Sequence, residues 1–133
     1  MAGRDDTPST RPLLEKLGVK PEHRVAVLGL DEGDFLFQLV GRAEQVYVNR
    51  RRSGIDLIFL GVNRRQDLRK LGSQRNFIAR NGAIWVVWPK GSKEVNENDV
   101  REAALDAGLV DVKVVSFSPT LSALKLVIRL ADP

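Results

Sequence analysis

The chain contains no cysteine, which excludes a disulfide scaffold, a thiolate metal site and a cysteine nucleophile. A thiol-free chain suits a reducing cytoplasm, where the protein is expected to reside. Histidine occurs once, as His23, ahead of the first strand and away from the usual ligand end of such a sheet. A Ser-His-Asp triad or a clustered metal centre therefore has almost nothing to draw on, although Ser53, Ser116, Ser118 and Ser122 are present. No run approaches the ~20 apolar residues of a membrane helix, so no membrane contact is expected. The opening Met1-Ala2-Gly3-Arg4-Asp5-Asp6-Thr7-Pro8 lacks the apolar centre of a signal peptide, and residues 1–11 read as a flexible tail. Repeats, low-complexity tracts and a phosphate loop ending in Gly-Lys-Ser/Thr are missing too.

What remains is an ordinary globular composition, 43% apolar and 29% charged over 133 residues, which suits one domain, expected over 12–131. The net charge of +4 is unevenly spread. Residues 50–93 hold eleven basic and two acidic side chains, a net +9, whereas the rest of the chain carries −5. A basic middle on an acidic protein suits an anionic partner, and it suits a solvated face more often.

Hydrophobic spacing sets out the elements. Residues 12–18 read as a short helix capped by Thr10 and ended by Gly18. Arg24 to Leu28, Ile55 to Leu60 and Ala83 to Trp88 are unalternating apolar runs, the pattern of parallel strands buried on both faces. Asp34 to Ala43 reads as a helix with Phe35, Leu36, Leu39 and Val40 on one side. Asn63 opens a second helix predicted to run to Arg80, where Asn81-Gly82 stops it. Glu97 to Ala107 is a third, closed by Gly108. Val112 to Phe117 and Leu121 to Leu130 stand three residues apart, which permits an antiparallel hairpin and forbids a helical crossover. The whole predicts an α/β, three-layer, Rossmann-like domain with a mostly parallel sheet ending in an antiparallel hairpin. The segment 46–48 is a strand candidate. With its continuation to Arg50, only Arg51 to Gly54 separate it from Ile55, fewer than the dozen residues a parallel crossover needs, so 46–50 is expected to pair irregularly or loop across.

Several stretches carry a resemblance. The strand ending in Gly29, Asn81-Gly82-Ala83-Ile84-Trp85-Val86-Val87, and Ala107-Gly108-Leu109-Val110-Asp111-Val112-Lys113-Val114 resemble parts of S-adenosylmethionine-dependent methyltransferases. Lys16-Leu17-Gly18-Val19-Lys20-Pro21, Trp85-Val86-Val87-Trp88-Pro89-Lys90, Val100-Arg101-Glu102-Ala103-Ala104 and Leu124-Lys125-Leu126-Val127 are similar to a family of small uncharacterised bacterial proteins with a truncated version of that fold. The resemblance covers residues 12 to 130. It implies a cofactor loop at Gly29, Leu30, Asp31 and Gly33. The chain departs from working methyltransferases there, because Asp31 stands about where the loop's first glycine would be. It departs again at the end of the second strand, where Asn49 replaces the acid that binds ribose hydroxyls.

Other candidates come from the residues themselves. Arg50, Arg51, Arg64, Arg65 and Lys90 each follow a predicted strand, so parallel strands would gather them on one rim as an anion site, helped by the free N–H groups of the helix near Arg64. Trp88, at a strand end, is a candidate for stacking on a base or adenine ring. Asp31, Glu32 and Asp34 are expected to cap a helix, and no metal site is expected.

Three functions compete. The first is a non-catalytic, methyltransferase-like binding or interaction module needing no cofactor. The second is an S-adenosylmethionine-dependent methyltransferase with an altered loop. The third is an anion, phosphate or nucleic-acid binder using the basic rim, with nucleic acid the less expected ligand because no known RNA- or DNA-reading motif accompanies the charge.

Overall fold

The computed structural model describes residues 12–129. The expected tail over 1–11 and the Thr10 cap lie outside the described residues.

Among the described residues six strands form one sheet, in the order β2-β1-β3-β4-β6-β5. They are β1 (Arg24–Leu28), β2 (Gln45–Val48), β3 (Ile55–Gly61), β4 (Ile78–Pro89), β5 (Leu109–Ser116) and β6 (Leu121–Ile128). As the apolar runs predicted, β1, β3 and β4 are parallel neighbours, with Val25 opposite Leu57 and Phe59 opposite Trp85. The terminal hairpin is antiparallel and joins the sheet through β6 against β4, with Val86 opposite Leu124.

Helices cover both faces. On one, α1 (Leu13–Lys16) and α2 (Gly33–Arg42) bury Leu14, Leu17, Phe35 and Leu39 against Val25, Val27, Phe59 and Trp85. Phe35 meets Phe59 and Phe117 edge to face, with centroids 4.9 and 4.7 Å apart. Such pairs each add about 0.5–1.5 kcal/mol beyond area burial. Trp85 is fully buried, and its indole N–H donates to the Leu17 carbonyl at 3.1 Å, which ties α1 to the sheet. Val40 does not share the buried side of α2; it is 67% exposed, as Phe37 is at 83%. On the other face, Leu68 and Leu71 join Val100 and Ala104 of α4 (Glu97–Asp106) over Ala26, Ile58, Ile84 and Trp88.

The long helix predicted over 63–80 is not formed. The segment is a relay of a 3-10 turn (Arg65–Lys70), the single-turn α3 (Leu71–Gln74) and a second 3-10 turn (Arg75–Phe77), and Ile78 already belongs to β4. Asn81-Gly82 does not stop a helix but lies in an irregularity of β4. Ile78 pairs with Ile55, yet Ala83 pairs with Leu57, so the intervening residues bulge. Gly82 is required there, since a β-carbon would stand 2.7 Å from the Asp56 carbonyl oxygen.

The second correction concerns β2. It pairs with β1 in regular parallel register, Arg24 opposite Gln45 through Val27 opposite Val48. Residues 49–54 alone then cross β1 to start β3 on its other side. Six residues suffice to span the gap, since the chain can reach up to ~3.3–3.6 Å per residue. The dozen-residue rule counts the helix that usually fills a crossover, and this link has none.

Candidate functional site

The carboxyl ends of β1, β2 and β3 meet at the loop after β1. Gly29 has φ +65°, a conformation that favours glycine, and its N–H donates to Asn49 Oδ1 at 2.9 Å. Asn49 itself has φ +54° and donates its backbone N–H to the Val27 carbonyl at 2.7 Å. Behind the loop stands Gly61, the last residue of β3. A β-carbon on it would overlap the Gly29 carbonyl oxygen and lie 3.1 Å from the Leu30 Cα. The loop is therefore seated directly on the strand end. Gly61 was not singled out from the sequence; a glycine closing an otherwise β-branched and bulky strand was the available signal.

Leu30 is half-buried and Asp31 exposed. Gly33 begins α2, and Glu32 stands at the N-cap without a side-chain hydrogen bond. The capping expected of Asp31, Glu32 and Asp34 thus reduces to their interaction with the helix dipole.

The basic residues expected on one rim divide. Arg64 and Arg65 share a cavity of about 560 Å³ with Gln66, Lys93 and Glu94. Arg65 is paired with Asp99 at 3.3 Å, and its N–H donates to the Glu94 carbonyl at 3.1 Å. The backbone N–H groups of Asn63 and Arg64 are not free for a ligand either. Both donate to the Asp67 carboxylate, at 3.0 and 3.2 Å. The bond from Asn63 is the main reason the Asp67 carboxyl is held below its ordinary range. Asp67, four residues after Asn63, is thus the residue that caps this turn. A second cavity, of about 690 Å³, continues between the 65–70 turn and α4, where Arg65 and Arg69 face Asp99, Glu102 and Asp106 across Leu68.

Lys90 and Arg50 line neither cavity. Lys90 reaches instead to Ser116, its Nζ donating to Oγ at 2.6 Å. Trp88 is 5% exposed and packed in the core beneath α4, so its ring is not presented for stacking. His23 accepts the Lys20 N–H through Nδ1 at 3.1 Å and closes the turn before β1.

Arg51 does not stay at the strand end either. The 49–54 link carries it over the Phe77 ring, 5.4 Å from the centroid. Arg52 lies 5.5 Å from the Tyr47 centroid, and Arg24 lies 5.8 Å from the same ring. Arg24 also donates to the Tyr47 hydroxyl at 3.3 Å and to the Ser53 carbonyl at 3.3 Å, and the tyrosine raises the guanidinium pKa further. Phe77 was not legible as the partner of Arg51, because the two are distant in sequence, whereas Tyr47 is close in sequence to Arg52.

Among the described residues no three metal-ligating side chains come together, and no helix is long and apolar enough to cross a membrane.

The family described as "Protein of unknown function (DUF3052)" matches residues 63–130. The chain belongs to this family. The stretch shared with DUF3052 contains every residue lining the two cavities, and it excludes the 29–33 loop and the arginine link. No curated protein matches the chain. Its structure is similar to that of a SAM dependent methyltransferase from Aquifex aeolicus, with a TM-score of 0.70 and 15% identity over 86% of each chain. It is also similar to a ribosomal protein L11 methylase from Lactobacillus delbrueckii subsp. bulgaricus, with a TM-score of 0.66 and 13% identity over 88% of this chain and 75% of that one. LepI in complex with SAM gives a TM-score of 0.57 and 17% identity over 92% of this chain and 49% of that one. At such identities the likeness is one of fold: this is a methyltransferase-like α/β domain of unknown function.

Proposed function

We infer that this domain keeps the methyltransferase-like fold as a scaffold and works as a binding or interaction module, without transferring methyl groups. The observation that carries this reading is the Gly29–Asn49 hydrogen bond on a loop seated against Gly61. The backbone N–H that a cofactor loop would offer is spent inside the protein. The residue at the end of β2 is an amide already engaged, where the resemblance calls for an acid. Asp31 adds a side chain where backbone should approach the ligand. S-adenosylmethionine does not fit this donor set. We take the setting to be a bacterial cytoplasm, which a cysteine-free chain suits.

Isothermal titration with S-adenosylmethionine tests the reading. The expected result is no heat of binding at millimolar cofactor. Micromolar affinity would overturn it in favour of a methyltransferase with an altered loop, a reading that the glycines retained at Gly29 and Gly33 support.

A further inference from the structure

The 49–54 link replaces a crossover helix with three consecutive arginines, and the fold holds two of them in place. Arg51 lies over Phe77, and Arg52 shares the Tyr47 ring with Arg24. Arg50 is exposed beside them. Among the described residues none of these four guanidinium groups forms a salt bridge. The acids that favour the Arg24 charge are Asp56 and Glu44. Asp56 is engaged, its carboxylate accepting the Arg24 backbone N–H at 2.8 Å.

Three like charges on one short stretch, with Arg24 of β1 beside them, repel one another until an anion arrives. Stacking removes most of the rotamer freedom that an arginine loses on binding, so part of the ordering cost is met in the free protein. Arg24 already spends N–H groups on the Tyr47 hydroxyl and the Ser53 carbonyl, and Arg52 spends one on the Arg51 carbonyl, so the fork geometry that matches a phosphate is offered chiefly by Arg50 and Arg51, while all four charges remain. The ring faces are covered, so they are not offered to a lipid interior or to a base.

We propose that the surface formed by Arg24, Arg50, Arg51 and Arg52 docks the phosphodiester backbone of a nucleic acid. The proposal rests on reading the domain as a binding module. It is separate from the strand-end rim, since the arginines in question lie across β1 and over Tyr47 and Phe77. Recognition here is of backbone charge, not of base sequence.

The test is fluorescence anisotropy with a labelled single-stranded RNA of mixed sequence, at 50 and 200 mM salt. Four phosphate contacts on a single strand give a log–log slope of about −2.8, or about 50-fold weaker binding across that range. The variant Arg50→Ala/Arg51→Ala/Arg52→Ala keeps one contact, so its slope should fall to about −0.7, a change of about 3-fold. Arg50→Glu, which alters an exposed side chain, should by itself weaken binding at 50 mM salt at least 5-fold. An unchanged slope in the triple variant, or an unchanged affinity in Arg50→Glu, overturns the proposal. So does displacement of the RNA by polyglutamate at equal charge concentration, which would mark an acidic protein as the partner. A positive titration with S-adenosylmethionine bears on the preceding reading and leaves the salt slopes as they are.

Discussion

The Gly29 N–H is bound to the side chain of Asn49, twenty residues further on, and this one bond joins the loop after β1 to the end of β2. Asn49 meets two demands: an acceptor on a short side chain, and a residue that tolerates φ +54°. Asn49→Ala fails both and should destabilise the fold by about 2 kcal/mol, the left-handed backbone supplying roughly half. Asn49→Gly should cost less. Urea unfolding of the two variants checks the order, and equal losses would show that backbone conformation is not at issue.

Asn49→Asp restores an acid to the end of β2 while keeping the acceptor. If the loop contacts exclude the cofactor, the variant should fold normally and still give no heat with S-adenosylmethionine. Acquired binding would mean that the missing charge alone silences the site.

Gly61 admits no side chain. The overlap that a β-carbon would make is with Gly29 backbone, which has no rotamer to yield. Gly61→Ala should therefore cost at least the 1–3 kcal/mol typical of overpacking, whereas Gly41→Ala, in open space on α2, should stabilise by up to about 1 kcal/mol. Thermal unfolding of both variants separates a tight contact from an ordinary glycine effect.

Asp67 gives the turn at 65–70 a pH dependence with a defined sign. Its carboxyl is held low, first by the Asn63 N–H. A depressed folded value means that the stabilisation is fully present above the unfolded value, about 3.9, and is lost as pH falls through the lower folded value. Asp67→Ala should lower Tm at pH 7, and the deficit relative to the parent should close in acid. A deficit that persists below pH 2 would show that packing, not charge, is what the residue contributes.

Much of this architecture was legible because buried parallel strands write themselves as unbroken apolar runs. Val25 to Val27 and Ile84 to Val87 needed no partner to be recognised. The three residues between the apolar runs 112–117 and 121–130 likewise left only a hairpin. Residues 63–82 misled because Leu68, Leu71 and Ile78 fit a helical stripe, although Ile78 lies in β4. Asn-Gly can end a helix or relieve a bulge, and the nearby Asp56 carbonyl that decides between them is distant in sequence. The directions of the basic side chains were hidden for the same reason. A position after a strand fixes where a residue starts, whereas Phe77, Ser116 and Asp99 determine where Arg51, Lys90 and Arg65 point.

The remnant of that rim still makes a distinct prediction. Arg64 and Lys93 face one cavity without a salt bridge among the described residues, while Arg65 is drawn off by Asp99. The loop after β1 carries Asp31, Glu32 and Asp34, so a small anion should gather at Arg64 and Lys93 and avoid the loop. Inorganic phosphate is the probe, and amide shifts in an NMR titration are the readout. Movement is expected around residues 64 and 93, with little at 29–34. Raising salt should weaken the effect, because the Debye length is about 8 Å at physiological ionic strength and these side chains are exposed. Arg64→Ala/Lys93→Ala should abolish the shifts, and Arg65→Ala should leave most of them, since it removes a charge already neutralised. Equal losses in the two variants would mean that Arg65 leaves Asp99 to meet the anion, and shifts centred on 29–34 would return the glycine loop as the ligand site.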